Sequence, residues 1–399
     1  MAAALAASLL LTACEAGGAG PEAAPSAHPV FDQPLERQVL AALRQTQEAG
    51  NASFTQTLTF ESKNKGRAVQ TVEGRIDFAK GLGEAKIAWK IPREFDDEVK
   101  NVILGRTPGR ALGDTSGSYL IDRERIRYRA QSSPYWLVYG AADIAAFDGA
   151  DPVEHLRGTE SPVGGMLLEG ISGAAATEQR AVGGGRSYKA ELPEAVTQDM
   201  FPADLNDELS TPLGSTSVRR PGHPLTVSVD ARGRITHSRV DLSRLLGENG
   251  VFAGMTSLTM DLTLSRHGAS RPAMAAEGKV RLSAKTVRPV TEVEAGGCVD
   301  FNTGQRDSQT VVDVDCRDPH DGRVWAQKSL GEGPYPGSSA AKSAARTACR
   351  EAYDSVPSRW TGESSERRRY WFMWSSEREW DEAGEGRVTC YVVTRKGAA

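Results

Sequence analysis

Four of the five cysteines in this 399-residue chain lie close together near its C-terminal end, at Cys298, Cys316, Cys349 and Cys390. An even, clustered set of cysteines in an exported chain predicts two disulfides, and four cysteines allow three connectivities. Cys316 also precedes His320 at a spacing that zinc ligands can use. Because exported cysteines are oxidised, we expect disulfides here, and we predict no metal and no cofactor.

Residue patterns typical of catalysis are absent from the sequence. It contains no G-x-S-x-G nucleophile elbow, no H-E-x-x-H zinc motif and no P-loop. The six histidines are scattered, and the glycine run at 183–185 has no phosphate-binding context. The formal net charge is −4, and no strongly basic domain indicates a nucleic-acid partner. We therefore predict a protein that is not an enzyme and does not bind nucleic acid.

The fifth cysteine, Cys14, follows an apolar run at the start of the chain. Residues 2–13 are almost wholly apolar, but the run is shorter than the roughly 20 residues that cross a bilayer. The small residues Thr12 and Ala13 before Cys14 resemble a bacterial lipobox, although no Lys or Arg precedes them. This resemblance implies a signal peptide over residues 1–14 and a membrane lipid anchor on Cys14, at the extracytoplasmic face of the cell membrane.

Composition and cysteine positions together divide the rest of the chain. Residues 15–32 are mainly Ala, Gly, Pro and Ser, a composition that cannot bury a core and predicts a flexible tether. Residues 33–287 contain no cysteine, whereas the four clustered cysteines all follow. We therefore predict one domain over residues 33–287 and a disulfide-linked domain over residues 295–395.

The first of these domains is predicted to be mostly β-sheet. Residues 35–49 carry apolar side chains at helical spacing, and Gly50 can end that helix. Alternating apolar and polar residues then predict about ten strands, with a hairpin turn at Asp230–Gly233. Further short helices are predicted at 151–156, 166–171 and 241–252. Since these helices are few, we expect a curved, mostly antiparallel half-barrel sheet with covering helices and a partly open apolar face.

The apolar positions of these strands are the candidates for lining a ligand cavity. The same pattern also fits a closed core, and a packed sandwich is the alternative architecture. The candidate residues are Phe54, Leu58, Phe60, Ile76, Phe78, Trp89, Leu258, Met260 and Leu262.

One family resemblance covers this domain, over about residues 33–285. A helix, a long series of amphipathic strands and the Asp-x-x-Gly hairpin at Asp230–Gly233, on a chain with a lipobox, resemble the LolA-like half-barrel lipoproteins. The pattern resembles in particular the actinobacterial LppX/LprAFG group. The resemblance implies that the domain carries an envelope glycolipid or another apolar lipid, and it supplies no catalytic residue.

A second and more specific resemblance covers about residues 295–395. The residues that carry it are Cys298, Asp315-Cys316, Pro319-His320, Tyr335-Pro336-Gly337, Cys349 in a helix predicted over Ser338–Tyr353, Trp374, Trp380 and Cys390. They resemble the septum-formation domain of actinobacterial membrane and envelope proteins, which implies a cell-division or envelope protein as partner. The sequence departs from this pattern at Ser375-Ser376, where a proline is expected.

The order of the four cysteines favours the pairs Cys298–Cys316 and Cys349–Cys390. Each pair would close a loop that constrains the unfolded chain by about 3–4 kcal/mol. The sequence as a whole predicts an α+β envelope lipoprotein that binds or carries an apolar lipid. The alternative is a non-enzymatic scaffold or interaction protein linked to septum formation, and a filled apolar sheet face would favour it.

Overall fold

The computed structural model describes residues 28–105, 115–122, 124–140, 166–198, 200–201, 203–209, 222–247, 249–304, 310–361 and 370–393. Within these ranges the chain forms an α+β fold with two open sheets, one of twelve strands and one of six. The strands are β1 (Asn51–Ser62), β2 (Gly66–Asp77), β3 (Leu82–Lys90), β4 (Ser116–Ile121), β5 (Arg125–Ala130), β6 (Tyr135–Gly140), β7 (Ala175–Val182), β8 (Gly185–Leu192), β9 (His223–Val229), β10 (Ile235–Asp241), β11 (Met255–Ser265), β12 (Lys279–Leu282), β13 (Val287–Pro289), β14 (Cys298–Asp300), β15 (Thr310–Val314), β16 (Gly322–Glu332), β17 (Tyr370–Trp374) and β18 (Glu385–Val393).

Short helices connect and cover these strands. The α-helices are α1 (Leu35–Glu48), α2 (Asp97–Leu104), α3 (Met166–Ile171), α4 (Glu194–Gln198), α5 (Ala203–Leu209), α6 (Ser283–Thr286), α7 (Ser338–Ala352), α8 (Ser358–Thr361) and α9 (Glu377–Ala383). Single 3-10 turns lie at Pro29–Asp32, Ser243–Leu245, Val290–Glu292 and Tyr353–Ser355.

The larger sheet has the order β12-β6-β5-β4-β3-β2-β1-β11-β10-β9-β8-β7. Its pairs are antiparallel except for β12, which runs parallel to β6. In β1 the buried residues Phe54, Leu58 and Phe60 alternate with more exposed threonines, as the period-two pattern predicted. The mostly antiparallel sheet is thus confirmed, whereas its half-barrel curvature stays a prediction.

The helix predicted at the start of this domain is confirmed as α1. It buries Val39, Ala42 and Leu43 on one side and contacts β7 and β10. The Asp230–Gly233 hairpin is also present, because Asp230 Oδ1 accepts the backbone N–H groups of Arg232 and Arg234, both at 2.9 Å. Gly233 has a φ of 74°, a conformation that glycine adopts without strain.

Two sequence predictions about local structure are wrong. The tether predicted over residues 15–32 does not include Pro29–Asp32, which forms a 3-10 turn whose Val30 and Phe31 are buried, and residues 15–27 lie outside the described residues. The helix predicted over 241–252 is only the turn Ser243–Leu245, since Asp241 Oδ1 accepts the Ser243 N–H at 2.9 Å and so favours a local turn. The helix predicted over 151–156 lies outside the described residues, whereas the one at Met166–Ile171 is present.

The smaller sheet has the order β13-β15-β14-β16-β18-β17. It begins at Val287 in β13, earlier than the domain start predicted at residue 295. Pro289 lies in β13, an edge strand, where its missing N–H costs no ladder bond. Ser376 replaces the expected proline by capping α9, since its Oγ accepts the Glu379 N–H at 3.3 Å in a capping box.

Two histidines of the larger sheet link its stability to pH. Burial lowers the pKa of His223, and the positive charge of Arg244 lowers it further. Burial also lowers the pKa of His267, with a further contribution from the charge of Arg234. Each histidine therefore stays neutral in the folded chain at a pH where the unfolded chain is already protonated.

We expect the melting temperature to fall as the pH drops below about 6.5, the pKa of an unperturbed histidine. Above that pH both states are neutral at these sites, so their contribution to stability is fully present there. It is lost progressively as the pH falls toward the lower folded-state pKa values. The variant His223→Gln should have a flatter profile in thermal melts over this range, and a profile as steep as that of the parent chain would contradict the assignment.

Candidate functional site

The residues predicted to line a ligand cavity lie in one hydrophobic core. Seven of the nine are between 0 and 3% exposed, namely Phe54, Leu58, Phe60, Ile76, Leu258, Met260 and Leu262. The other two, Phe78 and Trp89, are half-buried and pack against the same core.

Several of these side chains contact one another or neighbouring core residues on the same face of the larger sheet. The Phe60 ring stacks on the Phe252 ring at 5.1 Å between centroids and meets the Trp89 ring at 6.5 Å. In the strand register, Leu58 lies opposite Met260 and Phe60 lies opposite Leu258. The candidate residues therefore lie in the hydrophobic core of the described chain, and their role as a ligand lining stays a prediction.

Helices cover part of this apolar face, and the smaller sheet covers a further part of it. Cys298, Val312 and Val314, which lie on β14 and β15, belong to the same core as the strands of the larger sheet. Helix α6 contacts both β6 and β15 and so joins the two sheets. The face that the sequence predicted to be open is in part covered by the second domain.

Three tyrosines of the larger sheet donate hydrogen bonds to the loop that follows β14. Tyr135 Oη donates to Asp300 Oδ2 at 2.8 Å, and Tyr119 Oη donates to the carbonyl of Gly304 at 3.3 Å. Tyr139 Oη donates to the carbonyl of Thr303. We call this set of contacts, between Tyr119, Tyr135, Tyr139 and residues 300–304, the tyrosine clamp.

Position 304, the last residue of the tyrosine clamp, requires glycine. Gly304 has a φ of 81°, and a Cβ atom there would lie 2.6 Å from the Tyr128 ring. Both the backbone conformation and the close approach exclude a larger residue without rearrangement. Sequence analysis missed these residues, although Tyr135 and Tyr139 share the parity of a buried strand face.

Two buried carboxylates organise the loop within the clamp. Asp300 Oδ1 accepts the backbone N–H of Asn302 at 2.9 Å and its side-chain amide at 2.7 Å. Asp321 Oδ1 accepts the Phe301 N–H at 2.8 Å, and its Oδ2 accepts the Asn302 amide at 3.1 Å. Because these donors satisfy both carboxylates, the cluster holds the loop rigidly instead of presenting a free acid or base.

Tyr135, one of the three clamp tyrosines, is held in its neutral form. Burial raises the pKa of the Tyr135 hydroxyl, and the charge of Asp300 raises it further. The Arg281 guanidinium lies over the Tyr135 ring at 4.6 Å and forms an ion pair with Asp318. Tyr135 therefore donates to Asp300 at every physiological pH, which suits a permanent structural contact.

The cysteines of the second domain form the two disulfides that the sequence favoured. Cys298 is bonded to Cys316 and Cys349 to Cys390, with Cα–Cα distances of 5.1 and 5.6 Å. Cys316 is thus not a free zinc ligand, and His320 Nδ1 lies 2.9 Å from the carbonyl of Asp318. The described residues contain no group of three or more His, Cys, Asp or Glu side chains that could hold a metal ion.

The aromatic residues of β17 pack on both faces of the smaller sheet. Trp371 and Met373 contact one hydrophobic cluster, whereas Tyr370, Phe372 and Trp374 contact the other, which contains the Cys349–Cys390 disulfide. This agrees with the interpretation of these aromatics as core packing beside a disulfide.

The predicted lipid-attachment residue, Cys14, lies outside the described residues. Among the residues that are described, no helix is long and apolar enough to cross a membrane.

Comparisons with known proteins identify one part of the chain. Residues 259–390 match the model of the septum formation family. The chain is 6% identical to an uncharacterized conserved protein from Thermus thermophilus, over 62% of this chain and 98% of that one, with a TM-score of 0.25. A LolA superfamily protein from Nitrosomonas europaea is also 6% identical, over 61% and 96% of the two chains, with a TM-score of 0.21. No curated protein matches the chain significantly.

Structural likeness at such low TM-scores carries no argument about this protein. The family match is specific, and it confirms the resemblance that the cysteine, Pro-His and tryptophan pattern indicated. The matched segment starts inside β11 and includes β12, so its first strands belong to the larger sheet. Residues 259–390 of this chain are therefore similar to the septum formation family.

Proposed function

We propose that this protein is a non-enzymatic envelope lipoprotein, anchored through Cys14, that binds a cell-division or envelope protein through its septum-formation domain. In this proposal the twelve-stranded sheet is a closed scaffold. Its task is to hold the septum-formation domain rigidly at the outer face of the cell membrane.

The observation that supports the proposal is the burial of the candidate lining residues in the core of the larger sheet. A lipid carrier needs an accessible concavity, but the candidate lining is core, and part of that face is covered by the domain that would bind the partner. The buried hydrogen bonds of the tyrosine clamp favour a fixed arrangement of the two sheets. The septum formation family is not a known enzyme family, which supports a binding role.

Lipid carriage by the first domain is the competing function. It would require the core around Phe60 and Leu258 to open, or the septum-formation domain to leave the sheet. Either change exposes close-packed apolar surface and breaks buried hydrogen bonds, so both are costly.

Site-specific photo-crosslinking in the native cell tests the proposal. A photoreactive amino acid replaces Arg378, which is exposed in the septum-formation domain, or Lys63, which is exposed in the first domain. We expect a division or envelope protein to be captured from position 378 and not from position 63. Equal capture from both positions, or a uniform distribution of a fluorescent full-length fusion with no enrichment at division septa, would overturn the proposal.

A further inference from the structure

An open groove of about 590 Å³ lies along the solvent side of α1. Its floor includes Arg37, Leu40, Ala41 and Arg44, which repeat at the three- and four-residue spacing of a single helix face. The opposite face of α1 packs into the core through Val39, Ala42 and Leu43. The groove therefore belongs to a helix whose position is fixed by the fold, and its volume is that of a ligand site.

The wall of the groove is also fixed. It is formed by His28, Pro29, Val30 and Gln33, and the neighbouring Phe31 is buried beneath the Arg186 guanidinium at 4.6 Å from its ring centroid. Arg186 Nη1 donates to the Phe31 carbonyl at 3.2 Å, and Gln38 Nε2 donates to the Gln33 carbonyl at 2.7 Å. These contacts hold the groove open without a ligand.

The charges in the groove favour an anionic surface. Arg37 and Arg44 are exposed, and neither forms an ion pair within the part of the chain that the structure describes. They are seven residues apart, or about 10 Å along the helix, with half-buried Leu40 and Ala41 between them. Glu48 is the acidic lining residue and lies beyond Arg44 toward the helix end.

Two further facts favour a membrane surface as the occupant. The chain as a whole has a formal net charge of −4, so attraction to anions has to come from a local patch. Cys14 precedes His28, at the edge of the groove, by 28 − 14 = 14 residues. A chain of that length reaches at most about 50 Å, which keeps the groove near the bilayer to which Cys14 is proposed to be attached.

We propose that the α1 groove docks on the headgroup layer of an anionic phospholipid membrane. Arg37 and Arg44 bind lipid phosphates, and Leu40 and Ala41 contact the apolar boundary beneath them. The proposal rests on the membrane anchor in the proposed function, and it adds that α1 faces the membrane and orients the protein there.

Vesicle co-sedimentation of residues 15–399, the chain without its predicted signal peptide and Cys14, tests the groove without an acyl anchor. We expect binding to phosphatidylglycerol vesicles and not to phosphatidylcholine vesicles. The double substitution Arg37→Gln and Arg44→Gln should lower the partition coefficient about 30-fold. The matched control is Lys342→Gln with Arg346→Gln, which removes two exposed positive charges from α7 and should leave binding unchanged.

Equal loss of binding in the groove variant and the control, or equal binding to both kinds of vesicle, would overturn the groove proposal. Because the test protein lacks the anchor cysteine, its result does not depend on whether Cys14 is acylated. Crosslinking from position 378 is a separate readout, so failure of the partner proposal and failure of the groove proposal are distinguishable.

Discussion

Replacing Asp300 with alanine is expected to lower the free energy of unfolding by about 3 kcal/mol. The carboxylate accepts hydrogen bonds from Tyr135 and from two N–H groups of Asn302, and all three residues are buried. Without it the Tyr135 hydroxyl and the Asn302 backbone N–H lose this acceptor inside the core, while the loop of the tyrosine clamp loses its anchor. Urea denaturation followed by tryptophan fluorescence measures the change.

The matched control is Asp313→Ala in the same sheet. Asp313 pairs with Arg288 at 3.4 Å, and both side chains are more than a third exposed. An exposed pair of this kind contributes less than about 1 kcal/mol. Similar losses in the two variants would mean that the clamp does not stabilise the contact between the sheets.

Replacing Cys349 and Cys390 together with serine is expected to cost about 4 kcal/mol. This disulfide joins α7 to β18 across a sequence separation of 41 residues, and both cysteines are fully buried. The loss arises mainly because the unfolded chain regains conformational freedom that the cross-link removed. Thermal and urea unfolding of the variant and the parent chain measure it.

The second disulfide supplies an internal comparison. Cys298–Cys316 spans a separation of 18 residues, so the entropy model gives about 3 kcal/mol for its removal. A serine pair at positions 349 and 390 that is as stable as the parent, or four reactive thiols in the native parent chain, would contradict the disulfide assignment.

Sequence patterning predicted the larger elements because each depends on local periodicity. The alternation around Phe54, Leu58 and Phe60 marks one buried strand face whatever the order of the strands. The helical spacing in α1 and the turn chemistry of Asp230 are equally local. The septum-formation pattern was also predictable, because its cysteines and tryptophans have fixed positions in one short segment.

The contacts by which the second domain covers part of the apolar face could not be predicted in this way. Tyr135 and Asp300 are 165 residues apart in sequence, and no periodicity relates them. The sequence suggested too few helices to cover the sheet, and this was correct, but the missing cover comes partly from the second domain. The sequence was interpreted as two separate domains, whereas residues of both belong to one core.

Because the second domain covers part of the apolar face of the larger sheet, the two domains are expected to work together. Any displacement of the septum-formation domain would expose core residues, so its orientation relative to the scaffold is fixed in the folded state. If α1 faces the membrane, the same rigidity sets the direction in which the septum-formation domain points. Under the proposed function, we expect a partner to be recognised in one orientation at the membrane surface.

Native mass spectrometry after incubation with an envelope lipid extract tests the closed scaffold most directly. The test protein is residues 15–399 with Arg37→Gln and Arg44→Gln, which lacks the predicted signal peptide, the anchor cysteine and the groove charges. We predict a single mass without adducts, because the core beside the twelve-stranded sheet is filled. Discrete adducts of lipid mass on this variant would contradict the closed scaffold and establish the first domain as a lipid carrier.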